Sequence, residues 1–446
     1  MIILKEVVDK EVVEDRKEGV IMILIKGGRV LDPATGRDEI TDLIIDGEHI
    51  VRIGFFMPGP EYEKIIHAEG KIVAPGLVDV HVHFRDPGLS DLEDIQSGTA
   101  AAVAGGFTTV VCMANTKPEM DNPATLEYIL EKAAKMPIRV LQVASVTEGL
   151  QGRELVDMDE LKELGAVGFS DDGHAIADTS VMLKALQKAK ELDCPISVHE
   201  EDEALIENNG INEGQVSQQL GMGGASHTAE DVLVARDCML ALQTGSKLHI
   251  QHLSSGNAVE MVRFAKKMGA QVTAEATPHH FTLTESAVLT YGSYAKVNPP
   301  LRTFEDKKKI IEGLQDGTID IIATDHAPHS DARKKKKTLQ QASSGMIGLE
   351  TSLALGITKL VHEGYLPMMK LLEKMTVNPA NLYQLPGGRL AEGGPADIVI
   401  FDPEEKWTVK EFYSRSHNSP FVGERLTGRV KYTICNGNIV YQDGIQ

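Results

Sequence analysis

Cysteine is scarce in this chain of 446 residues: Cys112, Cys194, Cys238 and Cys435 stand far apart, with no C-x-x-C pair. That spacing excludes a disulfide scaffold and a zinc knuckle, and it fits a reducing cytoplasm. Positive charge is also in short supply, since Lys and Arg total 45 against 65 Asp and Glu, for a formal charge of −20. Nucleic acids and membrane surfaces call for a basic face, so neither is expected as a partner. Long apolar runs are missing as well, none approaching the roughly 18 residues of a membrane span. The opening stretch "MIILKEVVDKEVVEDRKEGVIM" has acidic residues through its middle and no small-residue cleavage site, which argues against a signal peptide. Residues 1–21 read as an extension ahead of the patterned sequence.

What is present is an ordinary globular balance, 42% hydrophobic and 25% charged, in a chain too long for one small core. From Met22, short alternating runs separated by turn signals ("ILIKGGRVLD", "DLIIDGEHIVRIG", "KIVAPG") read as antiparallel hairpin strands. The C-terminal "ADIVIFD" and "GRVKYTICNGNIVYQDG" read the same way, with Asn436-Gly437 as a hairpin turn. These ends suggest one small β-sandwich domain assembled from residues 22–75 and 386–446.

The middle, residues 76–385, alternates differently. Eight apolar runs ("GLVDVHVHF", "TTVVCMAN", "IRVLQVASV", "AVGFSDD", "CPISVHEE", "KLHIQHLS", "QVTAEATPHH", "IDIIATDHAP") are each followed by longer stretches, many with helical spacing of three and four. Eight strand–helix units predict an α/β fold of the (β/α)8 TIM-barrel type.

The polar residues occupy a common place in these units. His81 and His83 end the first strand, Asp171 and Asp172 the fourth, His199 the fifth, His252 the sixth and Asp325 the eighth. Taken singly, each has an ordinary explanation: a hydrogen-bonded core histidine, a polar strand end, or, for Asp325, a helix N-cap. Together they converge on the C-terminal face of a barrel, where active sites are built. Imidazole and carboxylate in that mixture point to a divalent metal, and the histidine share favours zinc. His279 and His280 read as supporting residues, and His174, His227, His249 and His326 do not outrank the five-strand set.

This pattern of H-x-H, two single histidines and a final aspartate resembles the amidohydrolase superfamily. "PGLVDVHVHFRDPG", "ANTKP", "GFSDDG", "KVNPPLR" and "TDHAPH" further resemble the class I dihydroorotase family. The resemblance implies a metal site of His81, His83, Asp172, His199, His252 and Asp325, with Asp172 preferred to Asp171 by its spacing to His199. It implies one or two Zn2+ per chain, with Asp172 bridging if there are two, because many relatives carry a carboxylated lysine at this position. That departure disfavours hydantoinase and allantoinase. Substrate contacts are implied at Arg85, Asn115, Asn298, His329 and Gly345, and Ala114 stands where the family usually has proline. The implied reaction interconverts N-carbamoyl-L-aspartate and L-dihydroorotate, with Asp325 as the catalytic acid–base group. The implied setting is a cytoplasmic homodimer with aspartate transcarbamoylase as a candidate associate. A related cyclic amidohydrolase and an inactive scaffold subunit are the alternatives. The segment 330–344, with "RKKKK" and no apolar anchor, is expected to be a solvated loop or a lid.

Overall fold

The alternating runs at the two chain ends pair into one eight-stranded sheet in the computed structural model, which describes residues 22–335 and 337–445. Its strands are β1 (Met22–Asp32), β2 (Arg37–Asp46), β3 (His49–Gly54), β4 (Lys64–His67) and β5 (Ile72–Pro75). The C-terminal part adds strands that follow the barrel. The extension read at residues 1–21 lies outside the described residues. β1 and β2 form the expected hairpin, but β5, in "KIVAPG", runs parallel to β1 on its second half, and β4, which no sequence run marked, lies parallel on the first half. β1 bulges between Ile25 and Gly28 to meet both, and a Cβ at Gly28 would lie 2.4 Å from Val73 Cγ2.

The barrel strands follow: β6 (Leu77–Val82), β7 (Phe107–Cys112), β8 (Arg139–Gln142), β9 (Ile196–Val198), β10 (Leu248–Ile250), β11 (Val272–Ala276) and β12 (Ile321–Ile322). The chain returns to the sheet with β13 (Ile398–Thr408), β14 (Arg425–Cys435) and β15 (Asn438–Gln442). β5 pairs with β13, which stitches the chain ends together. Ile23, Ile25, Leu43 and Ile45 pack with Ile398, Ile400 and Ile434 in a core of their own, the filling of a β-sandwich.

β6, β7 and β8 pair in parallel, as do β9, β10, β11 and β12. The expected fourth strand, in "AVGFSDD", does not form a ladder. It contributes a single stave residue, Phe169, bridged to Ala144 on one side and Ile196 on the other. Ala144 N and Ser197 N donate to Gly168 O and Phe169 O. The stave is short because the chain turns away immediately after Ser170, where Asp171 leaves to accept the Val146 and Thr147 amides. The ring closes where Val82 bridges His326 and His83 N donates to His326 O (2.9 Å). The result is a closed (β/α)8 TIM barrel beside a β-sandwich.

Every residue of β6 is buried, as expected for a parallel strand covered on both faces. Helices Ile95–Ala104, Pro123–Ala133, Thr179–Glu191, His227–Thr244 and Gly256–Lys267 fall on the helical stretches of the sequence. Thr433 Oγ1 donates to Val103 O (2.7 Å) and Arg139 pairs with Asp397, fastening sandwich to barrel.

Phe169 is fully buried in the barrel core and is the one stave residue joining two sheets. Phe169→Ala is expected to destabilise the fold by about 3–5 kcal/mol, measured as a lowered urea midpoint at unchanged slope.

Candidate metal centre

Strand ends that share one face bring their side chains to one point, and the barrel mouth is that point. His81, His83, Asp172, His199, His252 and Asp325 are all buried there. Arg85, His252 and Asp325 have φ of +57°, +31° and +45°, conformations that L side chains adopt rarely and that cluster at functional sites.

Asp172 is the hub. Its Oδ1 lies 3.4 Å from His81 Nε2, 3.6 Å from His199 Nδ1 and 3.7 Å from His252 Nε2, while Oδ2 lies 3.4 Å from His83 Nε2. Asp325 Oδ1 is 2.9 Å from His83 Nε2 and 3.6 Å from His81 Nε2. His199 Nδ1 and His252 Nε2 stand 3.0 Å apart. Asp171 points elsewhere and secures the loop at Val146 and Thr147.

The outer nitrogens of three of these rings explain why the inner ones need a cation. His81 Nδ1 meets Glu275 Oε1 at 2.6 Å, His83 Nδ1 meets Asn115 Oδ1 at 2.9 Å, and His199 Nε2 meets Glu201 Oε2 at 3.0 Å. Each outer nitrogen faces an acceptor and therefore carries a proton, which leaves the inner nitrogen as the one that turns to a metal. The inner nitrogens are turned on two carboxylates and on one another, where a proton or a metal ion meets the negative charge. His81 Nε2 is buried with no hydrogen-bond partner. A divalent ion relieves this arrangement, and the donor set suits one. Two triads have donor atoms within 4.8 Å of one another: His81, His83 and Asp325, and His81, Asp172 and His252.

The acids make the mouth attract positive charge. Burial disfavours an imidazolium at His81, yet Glu275 and Asp172 hold its pKa well above the usual range. His199 reaches about 10 against the same burial, through Asp172 and Glu201. Asp325 would be raised by burial, but the hydrogen bond with His83 and the charges of His81, His83 and His252 bring it to about 2.

On the substrate side the residues divide. Arg85 is half-buried and pairs with no carboxylate among the described residues, and its Nε is buried without a partner. Burial lowers its pKa to about 10, leaving it charged at neutral pH. Its neighbour Asp86 is taken by Lys132 (2.6 Å) and Tyr128 (3.1 Å). Asn298 Oδ1 and His329 Nδ1 are likewise buried and unpartnered. His329 Nε2 bonds Ser344 O at 2.7 Å, and Gly345, at φ +124°, would place a Cβ 3.2 Å from that same Nε2. Asn115 is different. Its amide is spent on His83 Nδ1 and on Asp172, donating to Oδ2 at 3.0 Å and to O at 3.2 Å. In this structure it joins His83 to Asp172 within the cluster.

The segment 330–344 departs from a simple solvated loop. Asp331, Ala332 and Lys335 are exposed, but Lys334 is completely buried. The charge run alone gave no hint of this, because Lys334 turns inward to main-chain carbonyls supplied from elsewhere.

Glu275 and Asn418, like Glu201 beside His199, escaped the sequence reading. Glu275, in β11, accepts from His249 Nε2 (3.0 Å) and the His252 amide (3.1 Å) as well as from His81. Its place in "VTAEA" on a buried strand was the available signal. Asn418 accepts from the His329 amide (2.9 Å) and donates to Ala327 O and Gly345 O, and nothing in "SHNSP" marks it. His280 is held by Thr277 and Pro299 O, and His326 by Glu93 and the Gly348 amide.

A family model described as Dihydro-orotase-like matches residues 70–258. A dihydroorotase from Clostridioides difficile (strain 630) is 61% identical over 94% of this chain and 100% of its own length. One from Clostridium acetobutylicum is 53% identical over 95% of this chain and 100% of its own. Among solved structures, L-hydantoinase (dihydropyrimidinase) from Arthrobacter aurescens superposes with a TM-score of 0.84 at 26% identity, covering 95% of this chain and 96% of that one. Dihydropyrimidinase from Brevibacillus agri NCHU1002 gives 0.82 at 22% identity, a likeness of fold alone.

Glu275→Gln removes the charge that anchors His81 Nδ1–H. It is expected to weaken metal affinity about 10- to 100-fold, read from competition with a chromogenic chelator.

Proposed function

The chain belongs to the dihydroorotase family, and on that premise we propose that its barrel mouth interconverts L-dihydroorotate and N-carbamoyl-L-aspartate in pyrimidine biosynthesis. The observation that carries the reading is the buried cluster of four imidazoles and two carboxylates beside an arginine without a carboxylate partner. The histidine share argues for Zn2+, which His81, His83, Asp172, His199, His252 and Asp325 would hold. Zinc, when bound, supplies Lewis acidity that activates water near neutral pH and polarises the ring amide carbonyl.

The chain's own residues do the rest. Asp325, ionised at neutral pH, accepts the proton lost by water as its oxygen bonds to the amide carbon. It then delivers that proton to the ring nitrogen as the C–N bond breaks. In ring closure the same carboxyl returns the proton to the departing oxygen. Arg85 meets the substrate carboxylate with two parallel N–H donors, geometry that lysine lacks. Asn298 and His329, each with an unpartnered buried polar atom, supply further contacts, with Gly345 close against His329. The family resemblance also supports a cytoplasmic homodimer, with aspartate transcarbamoylase as an associate. Among the described residues no helix is long and apolar enough to cross a membrane.

The purified protein is expected to hydrolyse L-dihydroorotate and to leave hydantoin and dihydrouracil nearly untouched; turnover of the uncharged rings alone would overturn the reading. Asp325→Asn should lower kcat about 10²- to 10⁴-fold with zinc retained in elemental analysis, and near-normal turnover would remove Asp325 from its role. Arg85→Met should raise KM about 10- to 100-fold with a smaller change in kcat, measured by steady-state kinetics.

A further inference from the structure

Lys334 is fully buried, yet its ammonium meets no carboxylate among the described residues. Instead it donates to three main-chain carbonyls: Lys296 O at 3.3 Å, Ser343 O at 2.9 Å and Gly345 O at 2.8 Å. These oxygens come from two stretches of chain that flank the proposed substrate pocket. Lys296 stands two residues before Asn298, Gly345 N donates back to Lys296 O (2.9 Å), and Ser344 O, between the other two carbonyls, takes His329 Nε2 at 2.7 Å. A second buried lysine repeats the device, for Lys296 Nζ donates to Gln340 O at 3.1 Å and Ala342 O at 3.0 Å.

An isolated buried ammonium is costly, and lysine is otherwise a surface residue. Hydrogen bonds to carbonyl dipoles offset part of that cost, but they leave the net charge in place. The charged group that acts on this ammonium is Lys296; Lys334 in turn acts on His329 together with Arg85 and Arg333, and Arg85 alone of these also faces the carboxylates of Asp325, Asp172 and Glu93. Asp331, on the same segment, is turned outward to Tyr294 and Lys335. A chain of net charge −20 thus sets two buried lysines, Lys296 and Lys334, on main-chain carbonyls beside this pocket.

We infer that Lys334 is a positioning residue for an anionic substrate: its ammonium gathers the carbonyls of Lys296, Ser343 and Gly345, fixes the wall formed by Asn298, His329 and Gly345, and leaves there a positive charge that no carboxylate offsets. The inference rests on the dihydroorotase reading of the site, since only a carboxylate-bearing ring makes use of such a wall. Burial and the neighbouring Lys296 lower the Lys334 pKa to about 7. The charged form therefore prevails below that value and is lost as pH rises through it, so substrate binding weakens on the alkaline side.

The test is steady-state hydrolysis of L-dihydroorotate by the zinc-loaded protein from pH 6 to 9. In the unmodified chain KM is expected to climb as pH passes about 7. Lys334→Met should raise KM about tenfold at pH 6, with kcat changed less, and flatten the climb. Lys334→Arg, which stays charged, should keep KM low across the range. Lys335→Met, on the exposed neighbour in the same segment, should match the unmodified chain. Should Lys334→Met fail to fold, the Lys334→Arg profile decides alone. A KM unchanged in Lys334→Met, or an alkaline climb that persists in Lys334→Arg, overturns the inference. Absence of dihydroorotate turnover in the unmodified chain would instead overturn the reading on which it rests.

Discussion

Four imidazoles and two carboxylates share a barrel mouth from which water is largely excluded, and the surrounding structure is arranged to keep them there. Buried ionisable groups are tolerable only when paired or holding a metal. Here the pairing runs in layers. The inner nitrogens and the carboxylates of Asp172 and Asp325 face a common point. The outer nitrogens of His81, His83 and His199 are taken by Glu275, Asn115 and Glu201. Barrel closure at His83 N and His326 O brings the first and eighth strands within reach of each other, so that His83 and Asp325 meet at 2.9 Å. Without that closure the ligands from opposite ends of the barrel sequence would not form one site.

Charge is sorted within the same mouth. The ligand carboxylates are acidic enough to raise His81 and His199 against their burial, while Arg85, Lys296 and Lys334 form no carboxylate ion pair among the described residues. A long-range field from a chain of net charge −20 opposes an anionic substrate. Local cations desolvated in a pocket outweigh distant screened ones, because Coulomb energy rises as the effective dielectric falls and exposed charges are screened beyond about 10 Å. Acidic composition and capture of an acid are therefore compatible.

Much of this was legible in the sequence, for a physical reason. Strand alternation and strand-end position are local properties, and a barrel sends all such ends to one face, so five members of the cluster could be named from eight short runs and the sixth narrowed to a pair. The composite sheet was legible from alternation at both ends, although the parallel pairing of β4 and β5 with β1 was not, since register depends on partners distant in sequence. Asp171 and Asp172 are adjacent, and alternation could not say which faced inward. Lys334 looked like its exposed neighbours because burial of a lysine is decided by carbonyls supplied by residues 296, 343 and 345. Asn418 reaches the site from the far end of the chain and carries no local mark at all.

The fourth stave ties two departures into one. Where the resembled families hold a long carboxylated lysine, this chain has an aspartate, whose carboxylate reaches only a short way from the backbone. A short side chain places its oxygens well only if its backbone is held. The stave stops after Ser170, whose Oγ accepts the Asp172 amide at 3.1 Å. Asn115 then grips Asp172 at both its carboxylate and its carbonyl. The same asparagine accepts from the His83 ring nitrogen, so one side chain links a first-strand histidine to the hub.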